Sequence, residues 1–107
     1  MPTIHLEYDD QKVPDDEVEK LSKAVIKIVQ DATGIEDVFV YANSAHIKVQ
    51  IAPIEIFVQM SAHKIKDLDI LFAEVKKKIA EWKVANNFNY PVNLTIIPMN
   101  WKFEVGI

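Results

Sequence analysis

Arginine and cysteine are both absent from the 107-residue chain, and glycine occurs only twice. Without cysteine the chain can form no disulfide, thiolate nucleophile or thiolate-ligated zinc site. Two isolated glycines, Gly34 and Gly106, exclude phosphate-cradling loops, the dinucleotide fingerprint and the nucleophile elbow of serine hydrolases, all of which need clustered glycines. The three histidines lack the spacing of metal ligands. We therefore expect neither a cofactor nor a metal.

All twelve basic residues are lysines, so the chain lacks the usual bidentate clamp for carboxylates and phosphates. The net charge of −4 argues against nucleic acid as a partner. No apolar run approaches the ~20 residues needed to cross a bilayer, and the chain start lacks the pattern of a signal peptide. We expect a cytoplasmic protein without a membrane partner, in which residues 1–107 form one domain.

Hydrophobic periodicity predicts two strand–helix–strand units in succession. Polar and apolar residues alternate over Thr3–Tyr8, as in a strand with two different faces. The first helix shows apolar residues at three- and four-residue spacing and ends at the cap Gly34, and the second begins at Asp67. The other predicted strands are residues 37–42, an edge strand at 46–51, then 54–61, 93–99 and a short terminal strand at 101–105.

This order predicts an α+β, two-layer fold in which a mixed sheet carries both helices on one face, because crossovers between parallel strands are right-handed. The opposite face combines aromatic and aliphatic side chains with a few polar ones. Such a surface is too apolar to remain in water as one broad face. We therefore expect self-association through it in a closed, symmetric oligomer.

Pro2 opens the first strand, where its missing N–H need not interrupt a ladder. If Met1 is removed, as is usual before a small residue, Pro2 becomes a secondary amine at the chain end. An amine of this kind is a base and a nucleophile, and no internal residue supplies one.

The terminal proline, the two βαβ units and the unburied sheet face together resemble the tautomerase superfamily, which includes 4-oxalocrotonate tautomerase and macrophage migration inhibitory factor. The 32–34 helix end (Ala-Thr-Gly) and the 98–100 stretch (Pro-Met-Asn) are also similar to the latter. The Ile97-Pro98-Met99 stretch is similar to a bacterial branch with that fold. The resemblance implies a homotrimeric keto–enol tautomerase acting on a small 2-oxo acid.

Carried onto this sequence, the resemblance makes Pro2 the general base and requires an apolar pocket that lowers the pKa of its amine. Six residues could build this pocket, partly from a neighbouring subunit: Ile4, Phe39, Tyr41, Phe57, Trp101 and Phe103. Of these, Phe39, Tyr41 and Trp101 are the candidate substrate-binding residues. Lys12 lies in the loop where some relatives have an arginine, and Lys48 or Lys64 could substitute for it. The chain departs from the family at Phe39, which occupies the position of the carboxylate-binding arginine of 4-oxalocrotonate tautomerase.

Two alternatives remain open at this point. One is a non-catalytic, oligomeric binding or assembly domain that keeps the fold without the anion-binding arginine. The other is a ferredoxin-like fold, which has the same order of elements and often serves in small-ligand regulation. Enol ketonisation that depends on Pro2 distinguishes the first alternative from a tautomerase, and a trimeric mass distinguishes the second.

Overall fold

The computed structural model describes all 107 residues and contains four strands, two long helices and one short 3₁₀ turn. The alternating Thr3–Tyr8 segment is a strand, and so are the last two long strands at their predicted bounds. In chain order the elements are β1 (Thr3–Tyr8), α1 (Asp15–Thr33), β2 (Phe39–Ser44), β3 (Ile54–Ser61), the 3₁₀ turn Ala62–Lys64, α2 (Leu68–Ala85) and β4 (Asn93–Met99).

The four strands form one mixed sheet in the order β2-β1-β3-β4. β1 runs parallel to β2 and antiparallel to β3, and β3 runs parallel to β4. Each parallel pair is joined through one long helix, so the sheet consists of two βαβ units placed side by side. This arrangement confirms the predicted α+β architecture.

The first helix ends and the second helix begins where the sequence signals predict. The first turn of α1 is acidic, which suits the positive end of its dipole, and Gly34 ends the helix at φ +70°, donating its N–H to the Gln30 carbonyl. Asp67 caps α2 by accepting a hydrogen bond from the Ile70 N–H at 3.1 Å. Neither helix has the length and hydropathy that a membrane span requires.

The core lies between the helix layer and one face of the sheet. Ile4 and Leu6 of β1 are fully buried, whereas His5 between them is only half-buried, as the alternation predicts. The same alternation places Ile54, Ile56 and Val58 of β3 in the core. α1 contributes four buried residues at helical spacing, namely Val18, Leu21, Val25 and Val29.

The opposite face of the sheet, here called the outer face, has no covering layer in the single chain. Phe39 and Tyr41 are exposed there by 39% and 53% of their surface, and Phe57 is half-buried. The outer face comprises Thr3, His5, Glu7, Phe39, Tyr41, Glu55, Phe57, Gln59, Thr95, Ile97 and Met99.

The predicted edge strand at 46–51 is wrong, because this segment has no strand partner within the chain. Lys48 instead forms an ion pair with Asp10 at 3.0 Å and donates to the Ala45 carbonyl at 2.7 Å. Alternation of polar and apolar residues therefore does not suffice for a strand, because this segment pairs with neither free edge of the sheet, β2 or β4.

Three smaller differences have equally local causes. The 101–105 segment is not a strand, because its backbone pairs with no strand of the sheet, and Trp101 is held instead by its side-chain bond to Ser61. β2 runs from Phe39 to Ser44 and not over residues 37–42, because its ladder with β1 begins at the pair Thr3–Phe39 and ends at the pair Tyr8–Ser44. Phe88, in the segment predicted to be only a turn, is buried between the Trp82 and Tyr90 rings.

The Tyr8 hydroxyl donates to Asp15 Oδ1 at 2.7 Å and ties the end of β1 to the start of α1. This hydrogen bond, helped by burial and the nearby acidic charges, raises the pKa of Tyr8 from its ordinary 10.0 to about 12. The folded state thus favours the neutral phenol. Its stabilisation is complete below pH 10 and is lost as the pH rises from 10 to 12.

We expect the unfolding free energy to fall between pH 10 and 12 more steeply for the wild type than for Tyr8→Phe, which has no phenol to ionise. Urea unfolding of both proteins at a fixed protein concentration measures the two slopes. Lysine deprotonation affects both proteins equally, so it cancels in the difference. Parallel pH dependences would contradict the role given to this hydrogen bond.

Candidate functional site

Pro2 lies directly before β1 and is fully buried. Its carbonyl accepts a hydrogen bond from the Phe39 N–H at 3.3 Å, which fixes the chain start against the beginning of β2. The alternation of β1 turns the Pro2 ring to the same side as Ile4 and Leu6, toward the helices. The candidate base therefore sits at one end of the core.

β3 brings a second set of residues to Pro2. Thr3 pairs with Gln59, so the antiparallel register places Met60 opposite Pro2 one residue further on. Ser61 ends the strand, and the 3₁₀ turn Ala62–Lys64 follows at once. This strand end thus delivers a buried thioether, a buried hydroxyl and a lysine to the start of β1.

The surroundings of the chain start favour an uncharged amine. Burial lowers the pKa of the Met1 amino group below its ordinary value, the positive charge of Lys64 lowers it further, and Asp37 opposes both. An ammonium loses hydration on burial and is repelled by a neighbouring cation, so its neutral form gains. Removal of Met1 would place the Pro2 nitrogen next to this environment.

A cleft of about 390 Å³ opens between the end of α1 and the start of α2, and we call it the α1–α2 cleft. Met60 forms a buried part of its wall, and Lys64 lies on its lining. The cleft is thus adjacent in the fold to Pro2. Its lining residues are Ala32, Thr33, Met60, Lys64, Ile65, Lys66, Asp67, Ile70, Leu71 and Glu74.

Trp101 closes the same end of the sheet. Its indole N–H donates to the Ser61 hydroxyl at 2.8 Å, and its ring meets Phe103 edge-on at a centroid distance of 6.1 Å. This hydrogen bond therefore holds the C-terminal segment against Ser61, the residue after Met60. Two of the substrate-binding residues proposed from the sequence, Trp101 and Phe39, thus lie at the Pro2 end of the sheet.

Phe39 and Tyr41 take a different place. Their side chains lie on the outer face, with the Tyr41 ring stacked on His5 at 5.7 Å, whereas Pro2 faces the helices. Neither residue lines the α1–α2 cleft. Their predicted role in substrate binding stays a prediction, and it would require approach from the outer face.

Lys12 is exposed in the turn after β1, at the opposite end of that strand from Pro2. Six residues of strand separate the two ends, a distance of roughly 20 Å at 3.3 Å per residue. A single chain therefore does not bring Lys12 to Pro2. Its predicted role in anion binding would need a second copy of the chain.

The sequence did not single out Ser61, which ends the strand next to the start of β1, or Asp37, whose charge raises the pKa of the chain-end amine, and Lys64 was only one of three candidate lysines. Ser61 ends a strand and Asp37 precedes one, so neither stands out by type or spacing. The antiparallel pairing of β1 with β3 is the signal that gathers Ser61 and Lys64 at Pro2. The register of such a pair is difficult to read from the sequence of one strand.

No protein-family model matches the chain, and no curated protein matches its sequence. Solved structures do match. Malonate semialdehyde decarboxylase superposes with a TM-score of 0.71 at 11% identity over 98% of this chain and 92% of its own. A fused 4-OT asymmetric trimer superposes with a TM-score of 0.68 at 17% identity, over 97% of this chain and 92% of its own.

A third structure, 5-carboxymethyl-2-hydroxymuconate delta-isomerase, gives a TM-score of 0.66 at 12% identity over 100% of this chain and 88% of its own. Identities this low establish a common fold and nothing finer. The match runs over nearly the whole length of both partners in all three cases. The chain therefore has the fold of the tautomerase superfamily, as its sequence indicates.

Proposed function

We propose that the protein is a keto–enol tautomerase that uses Pro2, after removal of Met1, as its general base on a small 2-oxo acid. The observation that carries this proposal is the position of Pro2. It is buried at the start of β1, where burial and the charge of Lys64 lower the pKa of a chain-end amine. A neutral amine at pH 7 is the form that a general base needs.

The proposed chemistry needs no group beyond this amine and a nearby cation. The neutral Pro2 nitrogen takes the hydroxyl proton of the enol, the electron pair of that O–H bond forms the carbonyl, and the π electron pair of the carbon–carbon double bond moves to the carbon that will be protonated. The resulting ammonium then delivers a proton to the carbon, which regenerates the base. Ketonisation and its reverse therefore move one proton without net change in the enzyme.

Two structural neighbours support this assignment, one through a proline variant and the other through the compound that inactivated it. Malonate semialdehyde decarboxylase was studied also as a variant with alanine in place of a proline at position one, and in an inactivated form. Another neighbour, Pt0534, with a TM-score of 0.60 at 13% identity, was inactivated by 2-oxo-3-pentynoate. A 2-oxo acid is thus a reasonable first ligand class for this chain.

The proposal includes a homotrimer formed through the outer face. Fused 4-OT neighbours are symmetric and asymmetric trimers. In this chain the outer face carries exposed aromatic rings that the fold itself leaves uncovered. Assembly would bury them, and it would also offer a route for Lys12, Phe39 and Tyr41 of one subunit to approach the proline site of another.

We expect sedimentation analysis to give a mass of three chains for the wild type and a smaller one for Phe57→Glu. Phe57 lies on the outer face between His5 and Thr95, and burying a new carboxylate there without a partner is costly. Val84→Glu is the matched control, because Val84 is 85% exposed on α2. A monomeric wild type would contradict the proposed assembly.

The catalytic proposal is tested by ketonisation of a freshly prepared enol such as phenylenolpyruvate, followed by its ultraviolet absorbance. The matched control is the same chain with an uncleaved N-terminal extension, in which the Pro2 nitrogen is an amide and not a base. Intact mass verifies that Met1 is absent from the first protein and the extension present in the second.

We expect catalysis only from the protein with a free Pro2 amine. Equal rates in the two forms, or a Met1 that remains attached in the purified protein, would contradict the proposal. Absence of turnover over a panel of enols, with a trimeric mass, would favour the alternative of a non-catalytic binding or assembly domain. This second candidate is tested as well, because the chain has no arginine to bind a substrate carboxylate.

A further inference from the structure

We propose that the Lys64 ammonium holds the carboxylate of a 2-oxo monocarboxylic acid in the α1–α2 cleft, next to Pro2. This inference rests on the proposed function, because it assigns the anion-binding group of the same site. It also narrows the ligand to acids that carry one carboxylate and an apolar substituent.

The fold fixes the place of Lys64 relative to Pro2. Met60 lies opposite Pro2 in the register of β1 and β3 and also lines the cleft. Lys64 ends the 3₁₀ turn that follows β3, and the Ile65 N–H closes this turn on the Ala62 carbonyl at 3.1 Å. A ligand in the cleft therefore contacts Met60, the residue opposite Pro2 in the register, and has Lys64 on the same lining, while Pro2 lies behind Met60 and is not itself a lining residue.

Lys64 has a free charge, unlike many lysines of this chain. Six lysines form ion pairs with carboxylates, whereas Lys64 forms no ion pair and no side-chain hydrogen bond. Its charge acts instead on the chain-end amine, which it repels in the ammonium form. An anion bound to Lys64 would satisfy the ammonium that the protein leaves unpaired.

The remaining lining of the cleft discriminates against a second carboxylate. Apart from Lys64, its charged residues are Lys66, Asp67 and Glu74, which together carry one net negative charge. Asp67 is already engaged as the cap of α2. The rest of the wall is mostly apolar, including Ile65 and Leu71, and suits an alkyl or aryl substituent.

Two alkynyl ketones separate carboxylate binding from amine reactivity. 2-Oxo-3-pentynoate carries a carboxylate, and 3-pentyn-2-one has a methyl group in its place. In both, the Pro2 nitrogen adds to the alkyne carbon remote from the ketone, and its proton passes to the neighbouring carbon, so no group leaves. Because the pKa of the amine affects both rates alike, the ratio of the two labelling rates isolates the contribution of the carboxylate.

We expect the full chain lacking Met1 to react faster with the carboxylate reagent, at a site that peptide mass mapping places at Pro2. Lys64→Met should lower the rate ratio roughly tenfold, the loss expected for one charge-assisted hydrogen bond. Lys76→Met is the matched control, because Lys76 is also an exposed lysine without an ion pair but lies outside the cleft, and it should leave the ratio within about twofold. Labelling by the neutral ketone shows that each variant keeps a folded site.

A second measurement compares protection against labelling by 2-oxobutyrate and by the dicarboxylate 2-oxoglutarate. The monocarboxylate should protect at the lower concentration. An unchanged rate ratio in Lys64→Met, an equal loss in Lys76→Met, or better protection by 2-oxoglutarate would overturn the assignment of Lys64 while the proline site stands. Failure of both reagents to label Pro2 would overturn the proposed function together with it.

Discussion

Replacement of Pro2 by alanine is expected to lower kcat/KM for enol ketonisation by about 10²–10⁴, the usual contribution of a positioned general base. The variant still ends in an amine after Met1 removal, but in a primary one. It lacks the buried ring that packs at the start of β1 and holds the nitrogen in place. Loss of position and loss of the secondary amine act in the same direction.

The pH profile provides the sharper readout of this prediction. In the wild type, kcat/KM should rise with pH and level off below roughly 8, the ordinary pKa of an α-amino group, because burial and Lys64 favour the neutral amine. Pro91→Ala is the matched control, since Pro91 is exposed and precedes β4 at the end of the sheet remote from Pro2. A profile unchanged by Pro2→Ala would mean that another group titrates.

The fold was largely predictable because its main signals are local. The alternation of Thr3–Tyr8 and the helical spacing that ends at Gly34 each report a buried face directly. Segment 46–51 shows the limit of such signals. Its alternation is as regular as that of β1, yet the segment pairs with neither free edge of the sheet, and Lys48 forms an ion pair with Asp10.

The sequence alone predicts a site residue only where the residue type itself indicates a chemical role. Pro2 stands out because a chain-end secondary amine has no equivalent elsewhere in the sequence. Lys64 differs in no local feature from Lys12 or Lys48, and sixty residues of chain separate it from Pro2. Only the pairing of β1 with β3 distinguishes it, together with the ion pair that occupies Lys48.

Leu6→Ala is expected to destabilise the folded chain by about 2–5 kcal/mol, the largest stability effect that we expect of a single truncation here. Leu6 is fully buried in β1, a central strand of the sheet, and pairs in register with Ala42 and Ile56. Its removal leaves a cavity between the sheet and the helices. Because β1 also carries Pro2, loosening of this strand should reduce catalysis along with stability.

Leu68→Ala provides the matched control, since it deletes the same atoms from a leucine that is 38% exposed at the start of α2. We expect a smaller loss there, because less apolar surface returns to water and no closed cavity forms. Urea unfolding at one fixed protein concentration compares both variants with the wild type, which keeps any contribution of self-association constant. Equal losses for the two leucines would contradict the core position assigned to β1, and with it the rigid placement of the proline.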